Sequence, residues 1–498
     1  MIRTIFFSLA FLTFPLTLFS CHSAKSAEKA ASSTGSRVIL GDEQFDFYTP
    51  LLEGKRAALF SNHSGIVGDK LTLSDGTVQY GGFASTGAGK KDASLIPFGF
   101  DADGKPVTYG EHILDALIAH GVNVTAIFSP EHGFRGNEDA GAHIKSGVDE
   151  KTGVPILSLY EDSNTHSPSV QSMATFDTLV VDMQDVGLRY YTYYIALYYL
   201  MDACAKNGKD VIILDRPNPN GFYVDGALLE DDYVSGVGRL PLPTVHGMTW
   251  GELARMINGE GYLTAGKDAC ALTVIPCRNY THQTKYALIR APSPNIKDMR
   301  AVYLYASTCF FENTIVSVAR GTAFPFEAFG SPYFKNAHLA RTRTASTQEF
   351  AAPQAAASGI TAQTGAKQTG AQEPSALPEE PFSFVPQSIP GATNPPFLGE
   401  ACYGKDLRSL PLNEIWSRGC DVSYLIDAYR AAAEAGKKSV FWGKPDARGR
   451  YWIDLLSGSA ALRTQVSEGR TADEVKESWK DGIEQFKAQR KPYLLYAE

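Results

Sequence analysis

The chain has 498 residues, of which 44% are hydrophobic and 11% are aromatic. These values are typical of globular proteins with two or more domains, and they exclude a mainly disordered chain. The formal net charge is −8, the calculated pI is about 5.8, and no basic tract stands out. The composition therefore argues against nucleic acid as a partner.

The N-terminus has the pattern of an export signal. Arg3 supplies a positive charge, and residues 5–19 form a mostly apolar stretch that is short for a membrane span. The stretch ends in Leu-Phe-Ser-Cys21, which resembles a bacterial lipobox. We therefore predict a lipoprotein signal peptide over residues 1–21, a lipid anchor at Cys21 and a tether over residues 22–37. The protein would then be exported and membrane-anchored, in the periplasm or on the cell surface. An ordinary cleaved signal or a short anchor helix is the alternative.

The other six cysteines show no spacing that is typical of a metal site. They are Cys204, Cys270, Cys277, Cys309, Cys402 and Cys420. No CxxC pair and no Cys/His ligand pattern occurs among them, so a zinc site is not expected. Export permits disulfides, but we predict buried free thiols. We predict no metal and no cofactor.

Apolar strands alternate with helical stretches from residue 38 onward. Strands are predicted within residues 56–65, 122–129, 178–185 and 209–221, and helices within 111–121 and 193–208. Continuous apolar strands separated by helices indicate a parallel sheet that is covered on both faces. With right-handed crossovers the sheet is doubly wound. We therefore predict an α/β fold with a Rossmann-like catalytic domain over residues 38–240.

A second domain and two unusual segments complete the predicted organisation. Residues 68–109 are rich in Gly, Asp and Lys and are predicted to be an inserted loop or hairpin, because they lack the spacing of a phosphate-binding loop. A smaller α/β C-terminal domain is expected over residues 241–498, with a helix from about Thr249. Within it, residues 341–380 have low complexity and are expected to be disordered or an exposed loop. Thr471 is predicted to open a later helix in a capping box with Glu474.

Polar residues follow each predicted strand at its carboxyl end. Ligands bind beyond these ends in doubly wound sheets, so the groups are expected to meet in one crevice. The groups are Asn62, Glu131-His132, Asp182 with Asp185, and Asp215 with Asn218.

The residue types permit hydrolytic chemistry but leave alternatives open. Glu131 in a water-poor crevice can hold a proton for a leaving group, or it can form a structural ion pair with Arg135. Asp182 and Asp185 can supply a second carboxylate, although Asp185 can equally cap the helix that begins near Tyr191. Asp215 and Arg216 can form an internal ion pair.

Further groups lie outside these strand ends. His246 is either a loop histidine that is hydrogen-bonded within the protein or a group that binds ligand. Arg320 can either clamp a carboxylate or bind backbone carbonyl oxygens. Six tyrosines between residues 190 and 199 are expected to be mostly core residues, with one or two near the crevice. No GxSxG, HExxH or GxGxxG motif is present, which weakens esterase, zinc protease and dinucleotide-enzyme interpretations.

Seven motifs resemble the NamZ-type exo-β-N-acetylmuramidase family. In chain order they are FSPEHGFRG, VDMQDVGLRYYTY, LDRPNPNG, LPTVHGMTWGELA, SPN, ENTIVSVARGTAFPFEAFGSP and the C-terminal stretch from SGSAALRTQ. The resemblance implies an active-site cleft between a Rossmann-like domain and a smaller α/β domain. It implies release of N-acetylmuramic acid from the non-reducing end of peptidoglycan fragments, with Glu131 as the catalytic residue. A cleft location is implied for the other motif residues, which are His132, Asp182, Asp185, Arg189, Asp215, Asn218, His246, Asn295 and Arg320.

The expected mechanism follows from the substrate. Glu131 would protonate the glycosidic oxygen, and Asp182, Asp185 or the acetamido oxygen of the sugar would assist. Arg135, Arg189 and Arg320 are the candidate partners of the lactyl carboxylate. The family's EGTNxS and GRGT stretches read ENTIVS and ARGT here. These departures leave room for a non-catalytic surface lipoprotein that binds muropeptides. A hydrolase of another bond, such as an amidase, is the second alternative.

Overall fold

The central element of the structure is a seven-stranded sheet. The structure is a computed structural model and describes residues 37–83, 96–130, 134, 146–159, 167–341 and 381–498. The described strands are β1 (Arg56–Ser61), β2 (Lys70–Thr72), β3 (Val78–Tyr80), β4 (Gly82–Phe83), β5 (Thr108–Tyr109), β6 (Asn123–Ser129), β7 (Gly147–Val148), β8 (Pro155–Ser158), β9 (Thr178–Asp182), β10 (Asp210–Leu214), β11 (Ala271–Ile275), β12 (Tyr286–Ala287), β13 (Ala328–Ser331), β14 (Ser383–Phe384) and β15 (Cys402–Asp406).

The strand order is that of a Rossmann-like sheet. The strands lie in the order β7-β8-β6-β1-β9-β10-β11, and every pair except β7–β8 is parallel. Without the antiparallel edge strand β7, the six parallel strands follow the spatial order 3-2-1-4-5-6. The direction of winding changes between β1 and β9, so this pair is the topological switch point, where such sheets bind ligands.

Helices cover both faces of the sheet. The described helices are α1 (Phe45–Tyr48), α2 (Ile113–Ala119), α3 (Val170–Met173), α4 (Tyr193–Lys206), α5 (Trp250–Gly259), α6 (Met299–Thr308), α7 (Leu412–Arg418), α8 (Ser423–Glu434), α9 (Trp452–Ser457), α10 (Ala461–Ser467), α11 (Ala472–Glu477) and α12 (Lys480–Arg490). Alternate residues of β1 face opposite sides of the sheet: Leu59 belongs to the same core as Leu117 of α2, and Phe60 belongs to a second core with Leu253 of α5. The predicted parallel sheet with two covered faces is therefore confirmed.

The remaining strands form small antiparallel sheets. Within the predicted insertion, β2 pairs with β3 and with β5, as expected for a hairpin. In the C-terminal part, β15 pairs with β13 and β14, and helices α6 to α12 belong to the same part of the chain. The predicted α/β fold with a Rossmann-like part and a C-terminal α/β part is confirmed. Strand β11 belongs to the central sheet, so the sheet takes residues from beyond position 240, where the first domain was predicted to end.

Several local predictions have direct outcomes. The six cysteines from Cys204 onward are free and buried, as predicted. Thr471 and Glu474 form the expected capping box at the start of α11. The predicted signal peptide and anchor at Cys21 lie outside the described residues, as does nearly all of the low-complexity segment 341–380. No helix within the described ranges is both long and apolar enough to cross a membrane.

Candidate active site

Strands β1 and β9 end side by side at the switch point, and their following loops are bonded together. Ser61 at the end of β1 is in register with Asp182 at the end of β9. The Asn62 Oδ1 accepts hydrogen bonds from the Ser64 backbone N–H at 2.9 Å and from the Ser64 Oγ at 2.6 Å. The Ser64 Oγ in turn accepts from the Gln184 backbone N–H at 3.0 Å. We name the group Asn62, Ser64, Gln184 and Asp185 the switch-point crevice.

Three buried polar atoms of this crevice have no hydrogen-bond partner within the described part of the chain. They are the Asn62 Nδ2, the Gln184 Oε1 and the Asp185 Oδ2. The other end of the Gln184 amide is fixed, since its Nε2 donates to the carbonyl oxygens of Asp185 and Pro217, both at 2.8 Å. Buried polar atoms are nearly always paired, so a concentration of unpaired ones is typical of a site completed by a ligand.

Asp185 has the environment of an acid–base group. Its Oδ1 accepts from the Gly187 N–H at 2.5 Å. Burial raises the pKa of Asp185 to about 7, opposed by the Gly187 N–H and by the nearby indole N–H of Trp250. That indole does not reach hydrogen-bond geometry with the Oδ2. The alternative role as a helix cap is wrong, because α4 begins at Tyr193 behind the N-cap Thr192.

Asp182 belongs to a buried ion cluster. Both of its oxygens accept from Arg216, with the Nε at 2.6 Å and the Nη2 at 3.0 Å. Arg216 also pairs with Asp42 at 2.7 Å and with Asp69 at 2.9 Å. All four side chains are buried. The predicted ion pair between Asp215 and Arg216 is therefore wrong: the guanidinium turns to three other carboxylates.

Asp215 instead fixes the start of α5 and the C-terminal tail. Its carboxylate accepts from the Thr249 Oγ1 at 2.7 Å, the Gly251 N–H at 2.8 Å and the Tyr496 hydroxyl at 2.6 Å. Burial raises the pKa of Asp215 to about 6, and these donors oppose the shift. These three donors come from α5 and from the C-terminal tail. Asp215 therefore holds both segments at the carboxyl end of β10.

Asn218 and His246 support the same region. The Asn218 Nδ2 donates to the Met248 carbonyl at 2.9 Å, and the His246 Nδ1 accepts from the Met248 N–H at 3.2 Å. Burial, together with the charges of Arg490 and Arg189, lowers the pKa of His246 to about 3. His246 is therefore a neutral, buried imidazole at neutral pH, in agreement with the interpretation as a loop histidine with a partner.

The SPN motif lies against the crevice through its preceding residues. The His63 Nε2 contacts the Ala291 carbonyl at 2.8 Å, and the Tyr191 hydroxyl donates to the Pro292 carbonyl at 2.7 Å. His63 follows β1 and Tyr191 follows β9, so this segment crosses the switch point. The Asn295 Nδ2 donates to the Gly391 carbonyl at 2.7 Å, which ties the motif to the C-terminal part.

Two of the arginines predicted to bind the substrate carboxylate are engaged elsewhere. Arg189 is fully buried, and its guanidinium donates to the carbonyl oxygens of Ala227, Leu242 and Leu456. These bonds tie the loop after β9 to the segment before α5 and to α9. Arg320 pairs with Glu312 and lies 5.0 Å from the Phe326 ring centroid.

Three predicted residues, Glu131, His132 and Arg135, lie outside the described residues. Pro130, which precedes them in sequence, follows β6 directly, and β6 is the other neighbour of β1. The described residues contain no group of three or more His, Cys, Asp or Glu side chains that could hold a metal ion.

Comparison with known proteins identifies the family. The N-terminal family model of the exo-β-N-acetylmuramidase NamZ matches residues 104–300, and the C-terminal model matches residues 303–496. The chain is 32% identical over 383 residues to the peptidoglycan β-N-acetylmuramidase NamZ of Bacillus subtilis (strain 168), covering 75% of this chain and 80% of that protein. The chain belongs to the NamZ family. Membership confirms the predicted resemblance and the prediction of a glycoside hydrolase.

Two solved structures resemble this chain. A crystal structure of a DUF1343 family protein from Bacteroides fragilis NCTC 9343 is 42% identical to this chain, with a TM-score of 0.67 over 93% of this chain and 100% of the other. A second DUF1343 structure from the same strain is 24% identical, with a TM-score of 0.63 over 92% and 99% of the two chains, and it shares the fold.

Sequence reasoning missed three residues of this candidate site. Ser64 and Gln184 bridge the two strand ends, and Trp250 lies beside Asp185 and stacks on Phe60 with ring centroids 6.0 Å apart. Gln184 stands between the two predicted carboxylates in the motif DMQD, so its place after a strand was a usable signal. The role of Trp250 depends on how α5 packs and has no local sequence signal.

Proposed function

We propose that this chain is an exo-acting glycoside hydrolase that releases N-acetylmuramic acid from the non-reducing end of peptidoglycan fragments. The observation that carries the proposal is the set of three buried polar atoms at the switch point, on Asn62, Gln184 and Asp185, that have no partner in the part of the chain that the structure describes. A donor and acceptors of this kind match the hydroxyl and acetamido groups of a sugar. The name of the Bacillus subtilis relative supplies the substrate class.

Glu131 is the proposed general acid. It follows Pro130 in the motif PEHG, after a strand that pairs directly with β1. In this role the Glu131 carboxyl gives its proton to the glycosidic oxygen as the bond from that oxygen to the anomeric carbon breaks. His132, the next residue in the motif, is proposed to orient this carboxyl or to bind the substrate.

Asp185 is a better candidate than Asp182 for the second carboxylate. Both oxygens of Asp182 accept from Arg216, whereas the Asp185 Oδ2 has no partner among the described residues. With a pKa of about 7, Asp185 takes up and gives up a proton near neutral pH. If Asp185 accepts a proton from the attacking water, the anomeric configuration inverts. If it instead holds the acetamido group for attack by the acetamido oxygen, the configuration is retained. Proton NMR of the fresh product distinguishes the two roles.

Arg135 is the proposed partner of the lactyl carboxylate. Of the three arginines considered, Arg189 is bound to backbone carbonyls and Arg320 to Glu312. A guanidinium binds a carboxylate in a two-pronged geometry, which suits recognition of the acid that distinguishes muramic acid from glucosamine.

Export and anchoring form a separate part of the proposal. The positive charge at Arg3, the apolar residues 5–19 and the lipobox-like end at Cys21 support a lipid anchor. A Cys21→Ser variant is expected to lose incorporation of labelled fatty acid and to leave the membrane fraction. Unchanged labelling of that variant would contradict the anchor.

The decisive experiment is incubation with muramyl–glucosamine disaccharide, with the products identified by mass spectrometry. Free N-acetylmuramic acid is expected from the native protein. Glu131→Gln is expected to reduce the rate by about 10²–10⁴-fold with an unchanged circular dichroism spectrum. Tight binding without sugar release would instead favour a non-catalytic muropeptide-binding protein, and release of peptide alone from peptide-bearing fragments would indicate an amidase.

A further inference from the structure

Trp250 and Asp185 place a hydrogen-bond donor near an acceptor beside the switch-point crevice. The Trp250 Nε1 and the Asp185 Oδ2 are both buried, and neither has a hydrogen-bond partner among the residues that the structure describes. The indole N–H is still close enough to the carboxyl to oppose the rise in the pKa of Asp185. Leaving a buried donor and a buried acceptor unpaired costs free energy, so two such atoms near each other are typical of a site that a small polar group completes.

Both side chains are held in place by other contacts. The Asp185 Oδ1 accepts from the Gly187 N–H at 2.5 Å, which fixes one end of the carboxylate. Trp250 is 4% exposed, and its ring stacks on Phe60 with the two planes 14° apart. The residues on either side of Trp250 both donate to the carboxylate of Asp215, which fixes the start of α5. The donor and the acceptor are therefore preorganised for one shared partner.

The shared partner must accept one hydrogen bond and donate another. An ionised carboxylate only accepts, and an indole N–H only donates. A water or hydroxyl oxygen does both with one atom. An acetamido group has its N–H and its C=O on opposite sides of a trans amide, so it cannot serve two neighbouring atoms at once. Trp250 and Asp185 therefore suit a water molecule or a hydroxyl group better than the acetamido group of the sugar.

A water molecule in this position is oriented for attack. One lone pair of its oxygen accepts from the Trp250 indole, and one of its hydrogens is donated to the Asp185 Oδ2. The second lone pair is then available to the anomeric carbon. Buried water molecules typically make two to four hydrogen bonds, and these two atoms supply the minimum.

We propose that Trp250 is a positioning residue that, together with Asp185, holds the water that attacks the anomeric carbon. This inference rests on the proposed function and selects the first of the two roles given there to Asp185. As the bond from the water oxygen to the anomeric carbon forms, the proton of the water passes to the Asp185 Oδ2. The bond from the anomeric carbon to the glycosidic oxygen breaks with its electron pair on that oxygen, which takes the proton of Glu131. The anomeric configuration is inverted.

The groups around Asp185 set the pH dependence of this step. Burial raises the pKa of Asp185 to about 7, and the N–H groups of Gly187 and Trp250 oppose the rise. Tyr191, just before α4, and Tyr194, within it, also lie near this carboxyl. Burial raises the pKa of Tyr191 and raises that of Tyr194 to about 12, so both are neutral at neutral pH. Removing the indole N–H is therefore expected to raise the pKa of Asp185 further.

The first test is Trp250→Phe, which keeps an aromatic ring beside Phe60 but removes the N–H. We expect kcat for the muramyl–glucosamine disaccharide to fall about tenfold, which is the value of one hydrogen bond, with KM within about twofold of the native value. The rise of kcat/KM with pH should occur about one pH unit higher than in the native protein. A raised KM with native kcat would indicate that the pair binds a sugar hydroxyl, and it would overturn the proposal.

Trp479→Phe is the matched control. The Trp479 Nε1 is also buried and without a partner in the described part of the chain, but it lies at the start of α12. Trp479→Phe should leave kcat, KM and the pH profile unchanged. Equal effects of the two variants on kcat would show that loss of any buried indole N–H accounts for the result, and they would overturn a specific role of Trp250.

A second variant removes the N–H without changing the size of the ring. Benzothienylalanine at position 250, introduced by amber suppression, carries a sulfur in place of the N–H and should reproduce the effect of Trp250→Phe. In an Asp185→Asn background, Trp250→Phe should cause no further fall in kcat, because the indole acts together with the carboxylate. Native kcat with benzothienylalanine, or an additive fall in the double variant, would indicate a structural role alone and overturn the proposal.

Two further measurements separate this inference from the proposed function. Proton NMR of the fresh product should show the α-anomer of N-acetylmuramic acid, and release of the β-anomer would overturn the water position while leaving the glycosidase proposal intact. Infrared spectroscopy without substrate follows the protonated carboxyl that Asp185→Asn removes. Its titration midpoint should lie about one pH unit higher in Trp250→Phe. An unchanged midpoint would overturn the pairing of Trp250 with Asp185, whereas a shifted midpoint without sugar release would overturn the enzymatic proposal and the attacking water with it.

Discussion

The guanidinium of Arg216 holds the carboxylate of Asp182 by two hydrogen bonds, from the Nε at 2.6 Å and from the Nη2 at 3.0 Å. Arg216 also binds Asp42 and Asp69, so one buried cation faces three buried acids at the carboxyl end of β9. Burial raises the pKa values of Asp42 and Asp69, and the charge of Arg216 opposes this rise. The charge of Arg216 therefore offsets part of the free-energy cost of burying these acids.

Replacing Arg216 by Met is expected to reduce the free energy of unfolding by about 3–5 kcal/mol, because three buried acids lose their counter-charge. The raised pKa values of Asp42 and Asp69 set the pH dependence. An acid whose folded pKa is raised contributes stability below its unfolded value of 3.8 and loses that contribution as pH rises through the folded pKa. Without Arg216 these pKa values rise further, so the deficit should be larger at pH 8 than at pH 5. Urea unfolding of both proteins at pH 5 and pH 8 measures this loss of unfolding free energy. An equal loss at the two pH values would contradict the electrostatic cause.

Asp185→Asn is expected to lower activity and to raise stability at alkaline pH. The native carboxyl has a pKa of about 7 against an ordinary value of 3.8, so its contribution to stability is lost as pH rises from about 4 through 7. The variant should gain up to about 4 kcal/mol over the native protein at pH 8 and little at pH 4. In the native protein we expect kcat/KM to rise with pH through about 7 as Asp185 ionises. In the variant this rise should disappear, and kcat/KM should fall by about 10²–10⁴-fold. Thermal unfolding tests the predicted gain in stability, and pH–rate profiles test the predicted loss of activity. Native activity in this variant would remove Asp185 from the mechanism.

Asn62→Asp tests whether the unpaired crevice atoms bind the sugar. The variant keeps an oxygen for Ser64 but replaces the unpaired Nδ2 donor by an acceptor. We expect the KM for the disaccharide to rise about tenfold, which is the value of one hydrogen bond to the ligand. Thr178→Val is the matched control, since the Thr178 Oγ1 is also buried and unpaired within the described residues but lies at the opposite end of β9. An equal effect of both variants on KM would refute a ligand-binding role for Asn62.

Arg189→Met is expected to destabilise the fold without weakening substrate binding. Its guanidinium satisfies three buried carbonyl oxygens, and leaving them unpaired costs at least about 2 kcal/mol of unfolding free energy. The KM of the folded protein should stay within twofold of the native value. Arg135→Met provides the contrast, with a KM at least about tenfold higher. A large rise in KM for Arg189→Met, with native stability, would restore Arg189 as the carboxylate partner.

The strands, helices and their arrangement were predictable because they depend on local patterns. The apolar runs predicted as strands match β1, β6, β9 and β10, and the helical stretches match α2 and α4. Their alternation indicated a parallel sheet, and the carboxyl ends of such strands lie on one edge. The sequence by itself therefore determined the fold class, the sheet edge that carries the candidate site, and the family.

Only the tertiary structure decided which polar side chains are already paired. Asp215 meets the hydroxyl of Tyr496, which is 281 residues away in sequence, and Arg189 donates to a carbonyl 267 residues away. Asp182 and Asp185 look alike in the motif DMQD, yet Asp182 is held by Arg216 and Asp185 has an oxygen with no partner among the described residues. The physical reason is that hydrogen bonding and desolvation depend on neighbours that long-range packing brings together. No local pattern records those neighbours.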